Sequence, residues 1–153
     1  MQWLELKIPP LLVWLVIAGA MLGVAYSAPS LSFTLAGSSA IALALVSLGG
    51  ALAFAGVIAF RNKGTTVNPL TPSASSSVVS SGVYRVSRNP MYLGLSFVLL
   101  GWAAYLWTPW SLLGPIVFVM YIARFQIEPE ERVLLTLFGS EYSAYKAKVR
   151  RWL

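Results

Sequence analysis

The chain has 153 residues, a formal net charge of +6, 58% hydrophobic and 10% charged residues, and a mean hydropathy of +0.73. Soluble domains carry roughly 25% charge, so a water-soluble fold is not expected, and several membrane spans in a single domain would use nearly the whole length. With no Cys and no His, disulfide scaffolds, thiolate nucleophiles and Cys-ligated zinc or iron–sulfur sites are excluded, and no metal site is expected.

Four apolar segments follow one another along the chain, at about 8–28, 35–60, 91–107 and 110–127. A hydrocarbon core about 30 Å thick needs about 20 helical residues, with 17 to 25 tolerated, so each segment qualifies as a span, the third only just. The expected fold class is therefore an all-α integral membrane protein with four transmembrane helices, forming one domain over 1–153. The stretch MQWLELK before the first helix sets an acid beside its single Lys, which argues against a cleavable signal peptide. Within the first helix Gly19 and Gly23 form a G-x-x-x-G, and Gly49, Ala53 and Gly56 make a small-residue face on the second. Close packing within one chain is the default explanation of both, with a homodimer through the first helix as the alternative.

Glu5 and Lys7 precede the first helix, Arg61, Lys63, Arg85 and Arg88 lie between the second and third, and Arg124 closes the fourth. The remaining charges follow it, while the short loops at 29–34 and 108–109 carry none. A nucleic-acid reader would need a basic face on a soluble module. Here the basic residues flank apolar runs and read as positive-inside topology, with both termini and the central loop cytoplasmic. The short chain and the lack of N-glycosylation acceptor sites fit a prokaryotic inner membrane.

The connection 61–90 is long and rich in Ser, Thr, Pro and Gly. Structureless loops beyond about 15 residues are functional or disordered. Val78, Val79, Val83 and Tyr84 predict that part of it packs against the membrane face, and 73–77 is its candidate flexible stretch. After the fourth span, Pro129 with acids around it suits a helix start, and Val133, Leu134, Leu137 and Phe138 fall at helical spacing. Gly139 is a natural stop, and a second short helix would carry Tyr142, Tyr145, Val149 and Trp152. The segment 128–153 is expected to be a cytoplasmic interfacial helical lid, its Lys146, Lys148, Arg150 and Arg151 near anionic headgroups.

Two stretches stand out, SSGVYRVSRNPMYLG at 80–94 and RFQIEPEERVLLTLFGSEYSAYKAKVRRW at 124–152. They resemble the integral-membrane methyltransferases that include isoprenylcysteine carboxyl methyltransferase and the phospholipid N-methyltransferases. That signature reads G-x-Y-R-x-x-R-H-P-x-Y-x-G, then a transmembrane hairpin, then E-E-x-x-L and F-G-x-E-Y-x-x-Y. The resemblance implies methyl transfer from S-adenosylmethionine, with S-adenosylhomocysteine as product, to a lipophilic or membrane-partitioned small molecule at the cytoplasmic face. Carried over by position, it implies that Gly82, Val83, Tyr84, Asn89, Pro90, Tyr92, Glu130 and Glu131 hold the cofactor, with Gly94 completing the first motif. Arg88, Arg124 and Glu131 are the candidates for the chemistry. Asn89 stands where the signature has His, and an amide cannot titrate near neutrality, so a proton-carrier role is excluded at that position while a cofactor-positioning one survives.

The chemistry needs few protein groups. The cofactor presents a sulfonium, an ammonium, a carboxylate and a flat adenine, which call for an acid, a base or N–H donors, and a π surface. In-line transfer to an anionic acceptor neutralises charge, so a dry, well-ordered site suffices without a protein nucleophile. An ammonium acceptor would first need to lose a proton, and only Glu, Tyr or water could take it, which favours a carboxylate or thiol.

Blander readings stand beside these. Asn89 before Pro90 is a good N-cap and first helical position. The acids around Pro129 complement a helix dipole. Arg85 reads as a positive-inside anchor, and Arg124 could pair with Glu128 at i+4. Tyr142, Tyr145, Trp107, Trp110 and Trp152 read as interface-belt aromatics. At the level of the whole protein, the rivals are a membrane scaffold without turnover and a nicotinamide-dependent reductase, since sterol reductases look similar in the C-terminal region.

Overall fold

The computed structural model describes residues 2–27, 37–66 and 68–153, and the regular elements among them are all helical. Helix α1 runs Pro10–Ser27, α2 Ser38–Lys63 and α3 Pro90–Leu106. The uncharged loop expected at 29–34 lies outside the described residues. Helix α2 continues three residues past the expected end at 60. Arg61 and Lys63 occupy its last turn, where cations complement the C-terminal dipole, before Gly64 closes it at φ 64°. At 17 residues α3 is the shortest span, about 25 Å long.

The fourth span and the expected lid are not separate elements. A 3-10 turn at Pro109–Leu112 leads into α4 (Leu113–Ile122), a π-helical turn at Ala123–Ile127, and α5 (Glu128–Lys148) with no break between them. Apolar residues fill this rod as far as Ala123; Arg124 and Gln126 fall in the π-helical turn, and beyond Ile127 the sequence turns polar. Gly139 does interrupt α5, at φ 47° and ψ −116°. The second short helix is shorter than expected, because Val149 is extended at φ −121° and ψ 131°. The extended form lets the carbonyls of Arg150 and Arg151 accept hydrogen bonds from the 87–89 segment.

Packing is closest between α2 and α3. A Cβ added at Gly49 would lie 2.5 Å from the Gly94 carbonyl oxygen, and one at Gly101 would lie 2.8 Å from the Ala42 carbonyl oxygen. Small residues thus bring two backbones together, as in membrane helix pairs generally. Among the described residues nothing lies within 4 Å of a Cβ at Gly19 or Gly23, so their packing does not explain the motif of α1. Between α1, α3 and α4, Leu99, Phe118, Ile122 and Ile127 are fully buried. The indole nitrogens there are satisfied by backbone, Trp14 Nε1 donating to Leu95 O at 3.0 Å and Trp102 Nε1 to Ala18 O at 3.1 Å. Outward-facing Leu11, Val16, Phe54, Val117 and Met120 are exposed, the apolar exterior expected of lipid-facing helices.

The charged ends gather on one side. Leu6 N–H donates to Phe125 O at 3.0 Å, and Glu5 pairs with Arg124 and Arg132, tying the start of the chain to the junction of α4 and α5. In the central connection Val79 and Tyr84 are buried against Ala59 and Phe60, and Val78 is buried as well, so part of it packs as the sequence predicts. The stretch 73–77, the candidate flexible segment, includes the end of a short 3-10 turn at Pro72–Ala74.

Candidate functional site

The end of α2, the 66–79 connection, the 82–89 segment, the first turn of α3 and α5 on both sides of Gly139 line a cavity. A 3-10 turn at Gly82–Arg85, entered through Gly82 at φ 59°, carries Tyr84 inward. Its ring meets Phe60 edge-on with centroids 5.3 Å apart, and its carbonyl accepts from Tyr145 Oη at 2.8 Å. Two residues beyond this turn, Ser87 is buried and Arg88 follows with a side chain only 8% exposed.

A guanidinium this deep needs a counter-charge, and Glu131 supplies it. Arg88 Nη2 lies 2.9 Å from Glu131 Oε1, while Arg151 donates through Nε at 3.3 Å to Oε1 and through Nη2 at 3.0 Å to Oε2. Lys146 Nζ is 3.4 Å from Oε2. Burial pushes the Glu131 carboxyl up, but the Arg151 hydrogen bond and the charges of Arg88, Arg151 and Lys146 outweigh it and hold the group below the ordinary carboxylate range. Both oxygens are occupied, so Glu131 is an ionised hub that orients cations.

The neighbouring acid is in a different state. Burial, reinforced by the charge of Glu131, pushes Glu130 up to about 8, although the hydrogen bond from Tyr92 opposes the shift. Tyr92 Oη donates to Glu130 Oε1 at 2.6 Å. Two adjacent carboxyls are thereby split by environment, one fixed as an anion and one poised to change charge near neutrality.

Arg88 is incompletely satisfied. Its Nε and Nη1 are buried with no partner among the described residues, as is Ser77 Oγ, and both residues line the cavity. Unpaired buried donors are rare and call for an explanation, of which a bound anion is one. Glu130 and the rings of Phe60, Tyr84, Tyr142 and Tyr145 line the same cavity.

Of the sequence candidates, Tyr84, Arg88, Asn89, Tyr92, Glu130 and Glu131 meet at this cavity. Gly82 and Val83 do not line it. They form the turn that delivers Tyr84, with Val83 packed beside Tyr84 and Ala59. Pro90 is buried at the first position of α3, beneath the lining residues. Arg124 is elsewhere, 2.8 Å from Glu5 and 3.3 Å from Glu128, in an ion cluster that Arg132 joins through Glu5. The Arg124 hydrogen bond is the chief reason that the Glu5 carboxyl is lowered. The i+4 pair therefore forms, and Arg124 stands outside the cavity.

Asn89 does not cap α3 with its side chain. Its Nδ2 donates to the Arg151 carbonyl at 3.0 Å, and its backbone N–H donates to Ser87 Oγ at 3.1 Å. Sequence reasoning missed Tyr142, Tyr145, Lys146 and Arg151, which it assigned to the lipid interface. The two tyrosines belong to the F-G-x-E-Y-x-x-Y stretch, and that was the available signal. Arg151 gave none, since it reaches Glu131 across 20 residues of chain.

Comparison with known proteins adds an independent line. The phospholipid methyltransferase family matches residues 38–141. The chain is 37% identical over 75 residues to protein-S-isoprenylcysteine O-methyltransferase of Saccharomyces cerevisiae, covering 47% of this chain and 30% of that protein. It is 43% identical over 67 residues to methanethiol S-methyltransferase 1 of Bradyrhizobium diazoefficiens, covering 44% of this chain and 22% of that protein. An uncharacterized protein of Haemophilus influenzae is 49% identical over 63 residues, 41% of this chain and 100% of its own length. No solved structure matches the chain. The family match begins with α2 and runs through the acid pair and past the Gly139 kink, over more than half of the sequence, and on that ground the chain belongs to the phospholipid methyltransferase family.

Proposed function

We propose that the protein transfers a methyl group from S-adenosylmethionine to a lipophilic acceptor at the cytoplasmic face of the membrane. The observation that carries this reading is a cavity lined together by Arg88, which has two buried donors without a partner among the described residues, by Glu130 and by aromatic rings. A carboxylate on Arg88 and Ser77, an ammonium near Glu130, and a flat base against Tyr84, Tyr142 or Tyr145 would satisfy each group. The cofactor supplies a methyl group on a cationic sulfur, so the protein needs no nucleophile of its own.

The residues of the chain bind, orient and exclude water. Glu131 holds Arg88 at the cavity lining, and Tyr92 holds Glu130. Phe60, Met91, Ile127 and Leu134 supply apolar lining suited to a hydrocarbon acceptor and to keeping water out. The two named relatives act, by name, on an isoprenylcysteine oxygen and on methanethiol sulfur, and an oxygen or sulfur acceptor fits a site without His. The one-sided charge distribution supports a cytoplasmic site with both termini on that side, as in a bacterial inner membrane.

The direct test is calorimetric titration of detergent-purified protein with S-adenosylhomocysteine, with NADPH as control. Binding with Kd on the order of micromolar is expected. Folded protein that binds neither ligand, or binds only NADPH, overturns the proposal.

A pH dependence follows from Glu130. Its folded-state pKa of about 8 lies above the ordinary 4.5, so the native state binds more protons than the unfolded chain across that window. Stability from this group is therefore present at low pH and falls as pH rises from about 4.5 to 8. A cation arriving beside Glu130 favours its ionised form, so binding below pH 8 should release a proton and tighten as pH rises. Titrations at pH 7 in two buffers of different ionisation enthalpy should show this release, and Glu130→Gln should abolish it. Buffer-independent heats in the wild type would refute the assignment.

A further inference from the structure

The 87–89 segment and the segment after α5 are joined by a tight set of hydrogen bonds. Arg88 N–H donates to Arg150 O at 3.0 Å, Asn89 Nδ2 to Arg151 O at 3.0 Å, and Ser87 Oγ to Arg151 O at 3.4 Å. The partner of the Asn89 side chain is a carbonyl, which can only accept, so the amide orientation is fixed by chemistry. From the same residue whose carbonyl is held, the Arg151 guanidinium reaches back to both oxygens of Glu131. Glu131 in turn holds Arg88, which lines the cavity and whose Nε and Nη1 are buried without a partner among the described residues.

We infer that Asn89 is a positioning residue that acts on the donor site through Arg151: by holding the Arg151 carbonyl it sets that guanidinium on Glu131, and so fixes Arg88. This rests on the cofactor reading above for its binding readout only. The requirement at position 89 is an N–H donor of short reach, which a neutral imidazole also provides and which a carboxylate does not. That is why an amide can stand where the related signature carries His without any proton being transferred there. The alternative, direct contact between the Asn89 amide and the ligand, makes a different energetic prediction. If Asn89 works through Arg151, the two residues lie on one chain of contacts and their losses cannot add.

The test is a double-mutant cycle read by S-adenosylhomocysteine titration at pH 8 and, independently of any ligand, by carboxypeptidase trimming of the last residues. Asn89→Ala and Arg151→Gln should each weaken binding about tenfold, and the double variant should be no worse than about tenfold, with Asn89→His within about threefold of wild type. Asn89→Ala and the near-isosteric Asn89→Asp should both speed trimming, while Asn89→His should not. Additive losses approaching a hundredfold, or no loss on Asn89→Ala, would overturn the inference, the first by assigning the amide to the ligand. If Asn89→Ala does not fold, Asn89→Asp takes its place in the cycle. If wild-type protein binds no S-adenosylhomocysteine, the cofactor reading fails alone, and unchanged trimming in the Asn89 variants would then decide against the positioning role.

Discussion

Glu131→Gln is expected to weaken S-adenosylhomocysteine binding by about a hundredfold or more and to abolish methyl transfer, while leaving insertion of the apolar helices unaffected. The substitution preserves shape and removes only the charge. Three cations, Arg88, Arg151 and Lys146, then lose their common anion. Removing one partner of a buried ion pair costs about 3 to 5 kcal/mol, because the remaining charge is left uncompensated in a poorly solvated place. Arg88 is the most affected, with its side chain 8% exposed, and it must either draw in water or swing away from the cavity. Calorimetry on the folded, purified variant decides the matter, and wild-type affinity would refute the hub role. Glu131→Asp, which keeps the charge but shortens the reach, should recover part of the binding.

Gly94→Leu should produce the largest loss of stability of any single change in the spans. A Cβ at position 94 meets the Gly49 carbonyl oxygen and lies 2.8 Å from the Ala53 nitrogen. These are backbone atoms that cannot rotate aside, so α2 and α3 must part. Overpacking ordinarily costs about 1 to 3 kcal/mol, and a side chain as large as Leu against backbone belongs at the upper end or beyond. The parting would also move Phe60 and Asn89, at the site ends of the two helices. Thermal unfolding in detergent should show a clearly lowered midpoint for Gly94→Leu. Gly19→Leu on α1, where a Cβ meets nothing among the described residues, should leave the monomer unaffected. An unchanged midpoint in Gly94→Leu would refute the packing account, and a changed oligomer size in Gly19→Leu would put a second copy against α1.

The spans were legible because bilayer thickness and backbone hydrogen bonding leave the sequence little choice. Long apolar runs must become helices, and their ends fall within a few residues of the Pro and Gly signals. The junction at 123–127 was not legible, since nothing in RFQI separates a wide turn from an ordinary one. Residues of the site that belong to compact motifs, Arg88, Asn89, Tyr92, Glu130 and Glu131, could be read from their pattern. Asn89 and Pro90 do take the N-cap and first helical positions, but the side chain makes no capping bond, because the carbonyl that takes it lies 62 residues away. Arg151 failed for a related reason: a basic residue near a membrane helix has an obvious default use, and only the extended backbone after Lys148 turns it inward. Tyr142 and Tyr145 were misassigned because aromatics at an interface and aromatics lining a cavity look identical in one dimension.

The π-helical turn at Ala123–Ile127 sets the phase between membrane and chemistry. A π turn holds one residue more than an α turn, and one residue of α-helix is about 100° of rotation. Side chains beyond the turn are therefore displaced around the axis relative to those before it. Phe118 and Ile122 can face the interior of the bundle while Glu131, beyond Ile127, lines the cavity on a helix that runs unbroken between them. The wide turn works like an offset in a gear train: lipid contacts choose the angular setting of the span, and the extra residue converts that setting into the one that the acid pair requires.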